Sequence, residues 1–499
     1  MDYSTLPIGL LATPWLRALL PCQPLLEPLL PCLEQLGQLL ERFRSRPVTP
    51  EATYDLEQQL QRQTRELARR LLEWQLNELE PEDSPHAPPR LCHDGDRYRR
   101  RGKHPHTLAT LFGDITLRRF LYEPYEPGER CLHPLERRLG VVAGCATPAL
   151  AERAGQAAAE RPQRQALEQL RRDHGVAWSA DTYRKVTGEL SAALAEQRQP
   201  AQVAKVLGWL RQAQASRGRH RPLLCAGRDG IHVPLVRGPY REGATATLSV
   251  FDRRGKRLGT VYLGRMPEPG QPTLSRQLTD LVVAVLAAWE GPVPRLAYVT
   301  DGGWHPTDYY TKVLRKLEDP RRPGQRLQWE RVIDFYHAAG YVSQLGEALF
   351  GDTAAGRAWA RRMRKRLRDE PCGVTRVLQS AAYHRSQKEL SAKREQAYEE
   401  ASNYLRKRRR FLDYHGCRRR GVPLGSGVTE AACKTVFTQR LKQSGMRWQV
   451  GGGQVILDLR VLRLSGVWDE AFRAYLRRRE ADLNDTHTQP TAERQEKAA

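Results

Sequence analysis

Three acids stand where carboxylates do chemistry. Asp229 lies in Leu223-Leu-Cys-Ala-Gly-Arg-Asp-Gly-Ile-His-Val233, inside or beside a strand. Asp301 closes the apolar run Leu296-Ala-Tyr-Val-Thr300 and is followed by Gly302-Gly303. Glu430 follows Gly425-Ser-Gly-Val and starts a helix, with Thr429 or Ser426 at hand as capping residues. Open α/β sheets bind ligands outside the carboxyl ends of their strands, which is the place Asp301 takes. Converging carboxylates are hard oxygen ligands for Mg²⁺ or Mn²⁺. Two such ions can activate a water or a 3′-hydroxyl on one side of a phosphodiester and stabilise the leaving oxygen on the other. The same residues also admit plainer readings, since Asp-Gly is a common turn dipeptide and a glutamate at a helix start complements the dipole.

Elements must position these acids. From about residue 221 the pattern is α/β. Strands are expected over 221–225, 231–236, 245–251, 259–264, 296–300 and 328–333, with helices over 274–289 and 309–317 and a further one entered at His337. Residues 340–420 read as helical, and 429–464 as helical in its first half. Antiparallel strands, then strands alternating with helices, then a helical excursion before the last helix describe an α/β fold with an insertion.

Charge identifies the partner. The chain of 499 residues carries 81 Lys and Arg against 57 Asp and Glu, a formal charge of +24. Residues 354–423 hold 20 basic and 7 acidic side chains, so more than half of the net charge sits in one stretch, whereas residues 1–90 hold 9 basic and 13 acidic. A one-sided surplus of this kind suits phosphate contact, where counterions are released, better than a merely solvated helix face. The nine cysteines contain no CxxC pair, which predicts a reducing, intracellular protein. The apolar pieces near the N-terminus are broken by Pro14, Pro21, Pro24, Pro28 and Pro31, and no apolar run approaches membrane-spanning length. The expectation is a cytoplasmic protein with no membrane partner.

Ahead of the α/β part the chain divides by composition. Residues 1–90 read as a helical region: short Pro-broken helices to residue 45, an amphipathic helix from Pro50 to about Leu79, and a Pro-rich linker over 80–90. Residues 91–139 suggest a small β-hairpin module over Thr107–Tyr122 turning at Gly113-Asp114. Its flanks carry Cys92, His93, Cys131 and His133, but without the close ligand pairs that zinc ribbons use, so a hairpin folding without metal is preferred. Residues 140–205 read as helical, with a helix over 165–174, Gly175 as its left-handed stop and Ser179 as the cap of a following helix. That is the outline of a DNA-binding helix-turn-helix, and equally of any αα-hairpin. Residues 484–499 are polar and predict a disordered tail.

The run Gly425-Ser-Gly-Val-Thr-Glu-Ala-Ala-Cys-Lys434, continued by Gln439-Arg-Leu-Lys-Gln-Ser-Gly-Met-Arg-Trp448, resembles the Kra-type insertion-sequence transposases of bacteria. So do Asp301-Gly-Gly-Trp-His305 and Asp334-Phe-Tyr-His337. The resemblance extends over about residues 50–465. It implies a DDE transposase near the Mutator-like branch, with a ribonuclease-H-like catalytic core over 221–339 and 424–475 and a basic all-α insertion over 340–423. Asp229, Asp301 and Glu430 would be the first, second and third catalytic carboxylates and the ligands of Mg²⁺ or Mn²⁺, two ions by the same resemblance. Their separations are 301 − 229 = 72 and 430 − 301 = 129 residues, the second lengthened by the insertion. The implied partners are double-stranded DNA, both element ends and target, and further copies of the chain in a dimer or larger assembly.

Around the acids, His337, Lys434, Arg440, Lys442, Arg447 and Trp304 are candidate DNA contacts. His337 has the alternative of bonding Asp334, and Trp304 and Trp448 that of core packing. Relatives tend to show paired cysteines where this chain has Cys92-His-Asp-Gly and Tyr122-Glu-Pro-Tyr-Glu-Pro, so the hairpin module is a degenerate zinc ribbon and zinc is not carried over. Two other functions compatible with the same residues are a transposase-derived DNA-binding protein without catalysis and a nuclease of the same fold such as a junction resolvase.

Overall fold

Proline at the first helical turn, where no amide donor is needed, opens both N-terminal helices, α1 (Leu30–Arg44) and α2 (Pro50–Asn77). This computed structural model describes residues 24, 27–84, 87–93, 95–126, 128 and 130–487; the expected broken helices before residue 24 and the tail beyond 487 lie outside them. The stretch expected as short helices up to residue 45 contains one 15-residue helix, because Pro31 falls in its first turn rather than its middle. Thr49 caps α2, its hydroxyl accepting from the Ala52 amide at 3.1 Å. The chain forms two compact units, residues 1–190 with 474–499, and residues 191–473.

In the first unit, β1 (Arg90–His93), β2 (Asp96–Thr110) and β3 (Gly113–Pro124) make an antiparallel sheet. The turn comes at Leu111-Phe112, two residues earlier than expected. Gly113, at φ +115°, pairs with Thr110 as the first residue of β3 instead of forming the bend. The free edge of β3 is closed by α2: Glu73 accepts from the Thr116 amide at 2.8 Å, and Asn77 bonds both Thr116 O and the Arg118 amide. Leu108, Ile115 and Leu117 bury their side chains with Leu135 of α3 (Pro134–Arg138). Of the four candidate zinc ligands, His93 receives Arg137, His133 Nδ1 lies 3.3 Å from Phe120 O, and Cys92 and Cys131 are exposed. Next come α4 (Pro148–Glu160), α5 (Gln163–His174) and α6 (Ala180–Ala215). Gly175 ends α5 at φ +72°, and Ser179 Oγ accepts from the Thr182 amide at 3.0 Å at the head of α6.

The second unit is built on a five-stranded mixed sheet. Its strands are β4 (Leu223–Val233), β5 (Arg241–Phe251), β6 (Arg257–Arg265), β7 (Arg295–Thr300) and β10 (Trp329–Ile333), in the order β10-β7-β4-β5-β6. A short hairpin, β8 (Glu318–Asp319) with β9 (Arg322–Arg326), precedes β10. Strands β4, β5 and β6 are antiparallel, while β7 and β10 run parallel to β4. The break expected within β4 is absent. Residues 223–233 pair without interruption to β5, and Gly227 and Gly230, which looked like punctuation, sit inside the strand.

Both faces of the sheet are covered. Leu224, Ala226, Leu248, Val261, Leu296 and Tyr298 face α7 (Pro272–Ala288) and the second half of α6. Leu223, Cys225, Ala297, Val299 and Val332 face the helical insertion. After β7 the chain forms α8 (Trp304–Lys312), a start five residues ahead of expectation. After β10 come α9 (Phe335–Phe350), α10 (Ala354–Asp369), α11 (Gly373–Ser386), α12 (Ala392–Arg408) and α13 (Tyr414–Arg420). The final segment starts with α14 (Gly427–Ala432), continues through a π-helical turn at Cys433–Thr438 to Leu441, and resumes as α15 (Val450–Leu464).

The expectation of helix only in the first half of 429–464 is therefore corrected. The second half is helical from Val450, and a Cβ on Gly453 would stand 2.6 Å from Met266. The last helix, α16 (Trp468–His487), runs into the stretch expected as disordered tail. No helix among the described residues is long and apolar enough to cross a membrane.

Arg198 on α6 and Asp458 on α15 form an ion pair at 2.6 Å with both side chains largely buried. Removing one partner strands the other charge. Arg198→Leu is expected to cost about 3–5 kcal/mol, read as a lowered urea midpoint with an unchanged m-value.

Candidate active site

The parallel pairing of β4, β7 and β10 aligns three aspartates at one sheet edge. Ala226 pairs with Tyr298, and Asp229 and Asp301 each lie three residues further on, hence level with one another. Ile333 pairs with Thr300, which sets Asp334 level with Asp301, and the Asp334 amide donates to Thr300 O at 2.8 Å. Side chains alternate along a strand. Asp229 and Asp301 therefore continue the rows Leu223-Cys225-Gly227 and Ala297-Val299, on the face that the insertion and α14 cover.

Helix α14 reaches this face through a close approach at Gly227. A Cβ there would stand 2.0 Å from Thr429 Oγ1, and Thr429 shares a 2.8 Å hydrogen bond with Thr247 on β5. The contact places the α14 helix over Asp229, whose Oδ2 lies 3.3 Å from Cys433 Sγ and whose Oδ1 accepts from the Gly230 amide at 2.8 Å. Glu430, on the same helix, is exposed and accepts from Ser426 Oγ at 2.6 Å.

Asp334 holds the strand end to the loop before α14. Its Oδ1 accepts from the Tyr336 and His337 amides at 2.6 and 3.0 Å, and its Oδ2 accepts from Ser426 Oγ at 2.8 Å and from the Ser426 amide. Those four donors fill its acceptor sites. Asp334 is thus a positioning residue, and the single Ser426 hydroxyl proton serves Asp334 and Glu430 one at a time.

The acids share one electrostatic field. Burial raises the Asp229 carboxyl above the usual aspartate range, and the charges of Asp301 and Glu430 push the same way, against the Cys433 thiol and the Gly230 amide. Burial, and next the Asp229 charge, drive the Cys433 thiol well up, so it stays protonated and donates to Asp229. All three candidate carboxylates offer hard oxygen donors, the right chemistry for Mg²⁺ or Mn²⁺. Among the described residues, no three His, Cys, Asp or Glu side chains are gathered tightly enough to close on one ion.

The insertion also lines the site. Tyr404 donates to Asp301 O at 3.3 Å, and Arg408 Nε lies 3.5 Å from where a Cβ on Gly302 would stand. Beside Glu430, an open cleft of about 470 Å³ is lined by Tyr336, His337, Tyr341 and Gln344.

The candidate DNA contacts separate on this structure. Trp304 is 70 % exposed, so it does not pack into the core. His337 meets Asp334 through its backbone amide, and its ring is left exposed at the cleft. Lys434, Lys442 and Arg447 are exposed. Arg440 is corrected as a surface phosphate contact: it is 1 % exposed, with its guanidinium 5.3 Å from the Trp448 ring centre. Trp448 itself is structural, donating from Nε1 to Leu441 O at 2.8 Å while its backbone bridges to Pro234 and Val236.

Sequence reading missed Gly227, Tyr404 and Arg408 as members of the site, and named Ser426 only as a helix cap and Asp334 only as a partner for His337. An isolated glycine inside a strand pattern was an available signal of close backbone approach. Tyr404 and Arg408 had none, since only the fold brings them to the acids. No protein family model matches this chain, and no curated protein sequence matches it.

Two expectations follow from this geometry. Gly227→Ala forces α14 off β4 and should cost about 1–3 kcal/mol, as overpacking does, read by chemical denaturation. The second concerns pH. Folded Asp229 holds its proton more tightly than an unfolded aspartate, so its contribution to stability is present at low pH. That contribution is lost as pH rises from the unfolded value of about 3.9 through the raised one. Asp229→Asn is therefore expected to be more stable than wild type above that window in metal-free buffer. The difference should close as the pH falls toward the unfolded value, as measured by thermal melts across pH.

Proposed function

We propose that this protein is a DNA transposase of the DDE type, acting from a ribonuclease-H-like core interrupted by a basic all-α insertion. The observation that carries the reading is the alignment of Asp229, within β4, with Asp301 at the end of the neighbouring parallel β7, and the charge of Glu430 on α14 close enough to act on Asp229. The order of elements supports it as well: antiparallel strands, strands alternating with helices, and five helices before the one that carries the last acid.

Asp229, Asp301 and Glu430 would hold the metal, and a cation there would relieve the repulsion that Asp301 and Glu430 impose on Asp229. When bound, two Mg²⁺ or Mn²⁺ ions supply charge that activates the attacking oxygen and stabilises the leaving one. The chain's own contribution is positioning and charge, which is most of what phosphoryl transfer asks of a protein. Lys434, Lys442 and Arg447 present exposed cations for backbone phosphates, and Trp304 and His337 stand exposed where an unpaired base or the scissile phosphate would lie. The substrates are the ends of the protein's own element and a target duplex, handled by a dimer or larger assembly in the cytoplasm.

With labelled duplexes carrying the terminal repeats that flank the coding region, the wild-type chain should nick and join strands only with Mg²⁺ or Mn²⁺. Asp229→Asn, Asp301→Asn and Glu430→Gln should each lower cleavage at least roughly 100-fold while end binding persists. Strand transfer at the wild-type rate by the triple variant would overturn the proposal. Cleavage of branched DNA without joining would point to a resolvase, and binding without cleavage to a DNA-binding derivative.

A further inference from the structure

A second cationic feature lies away from the carboxylates. Along β4, Asp229 pairs with Thr245, whereas Leu223 at the start of the strand pairs with Phe251. Six residues of strand separate the two positions, about 20 Å at the usual rise per residue. At the Phe251 end, beyond the β5–β6 turn, opens a cleft of about 680 Å³. Its basic side chains come from three separate parts of the chain: Arg219 and His220 before β4, Arg254 in the β5–β6 turn, and His415, Arg418 and Arg419 on α13.

The charge of this cleft is one-sided. Asp369 is its sole carboxylate, and it is already engaged by Arg418 at 2.5 Å and by Arg368 at 2.9 and 3.0 Å. Arg219 and Arg419 meet no carboxylate among the described residues, and Arg254 spends only its Nε, on Arg217 O at 3.2 Å. His415 gives Nδ1 to Asp369 O at 2.8 Å, which leaves its Nε2 unengaged by the protein.

The wall at His220 is fixed by packing, and the Arg219, Arg254, Arg418 and Arg419 side chains are exposed to solvent around it. Gly421, at φ +73°, packs so tightly on His220 that a Cβ would stand 2.7 Å from its ring, and the His220 amide donates to Arg253 O at 3.1 Å. Cations from three chain segments held around one cavity, with their single acid already neutralised, repel one another unless an anion enters. Guanidinium forks match phosphate oxygens in geometry as well as charge.

We infer that this cleft is a phosphate-binding site, taking the backbone of a second stretch of nucleic acid while another lies at Asp229, Asp301 and Glu430. The site extends the transposase reading but does not depend on catalysis. A protein that bound DNA and never cut it would keep the same cleft.

The test uses the full chain and the triple variant Arg219→Ala/Arg254→Ala/Arg419→Ala, with Arg361→Ala/Arg362→Ala/Lys365→Ala on the exposed face of α10 as a charge-matched control. Binding of a fluorescent duplex of arbitrary sequence is followed by anisotropy across salt concentrations, and binding of pyrophosphate alone by calorimetry. Thermal melting verifies that each variant is folded. Loss of two to three phosphate contacts should reduce the slope of log K against log salt by about 2–3 and weaken duplex binding at least tenfold in the cleft variant. Loss of pyrophosphate binding with duplex binding intact would overturn the nucleic-acid assignment and identify a free phosphate ester as the occupant. A folded cleft variant that binds both probes like wild type, or loses no more than the α10 control, would overturn it. Nicking at element ends, assayed separately, reports on the carboxylates alone.

Discussion

Most of the candidate site hangs on one buried carboxylate. Asp334 is 1 % exposed and accepts four hydrogen bonds, two from the first turn of α9 and two from Ser426. A buried charge persists only when its acceptor positions are filled. The residue therefore demands that the end of β10, the start of α9 and the loop leading to α14 meet at one point. Asp334 and Ser426 lie 92 positions apart in the chain, on either side of the helical stretch, yet the hydrogen bonds treat them as neighbours. Glu430 stands at the sheet edge because Ser426 is held there.

The insertion is attached to the sheet by cations stacked on rings. Arg331, on β10, lies 4.9 Å from the Tyr310 ring centre and 4.5 Å from that of Phe411, and gives Nη2 to Thr307 Oγ1 at 2.6 Å. No carboxylate among the described residues pairs with it, and burial draws its pKa below the ordinary arginine value. A guanidinium tolerates this because its flat, weakly hydrated faces pair with aromatic rings. Nearby, Tyr341 of α9 and Tyr404 of α12 stack with ring centres 3.6 Å apart, and Arg408 covers the Tyr404 ring at 4.1 Å. Through Tyr404 this stack reaches the backbone of Asp301.

That arrangement explains how so basic a stretch folds beside an acidic site. On α10, Trp359, Met363 and Leu367 recur every four residues and are buried, while Arg361, Arg362, Arg364, Lys365 and Arg368 point to solvent. The apolar rows of the insertion complete a core with β4, β7 and β10, and its charge is left on the outside, free for a polyanion. The same separation of apolar row and charged row operates on the sheet, where alternation buries Leu223, Cys225, Ala297 and Val299 and ends each row in an acid.

Local pattern settled much of this protein. The alternation and turn signals around 245–264, the apolar strand ending at Asp301, the periodic helix from Pro50 and the charge of 354–423 are properties of short windows, and the structure carries each as an element or a surface. What short windows misread were positions where a distant contact outweighs local preference. Residues 226–230, with the Asp-Gly pair that suits a turn, fell between two expected strands and are strand because β5 pairs across them. The second half of 429–464, not expected as helix, is helical from Val450, with Met266 packed against Gly453. Arg440, by type a phosphate ligand, is buried against Trp448. The sequence by itself determined which residues could be strand, helix and candidate ligand. The tertiary structure alone decided that Asp334 joins Asp229 and Asp301 at one edge, because strand order and register arise from pairing between segments far apart in the chain.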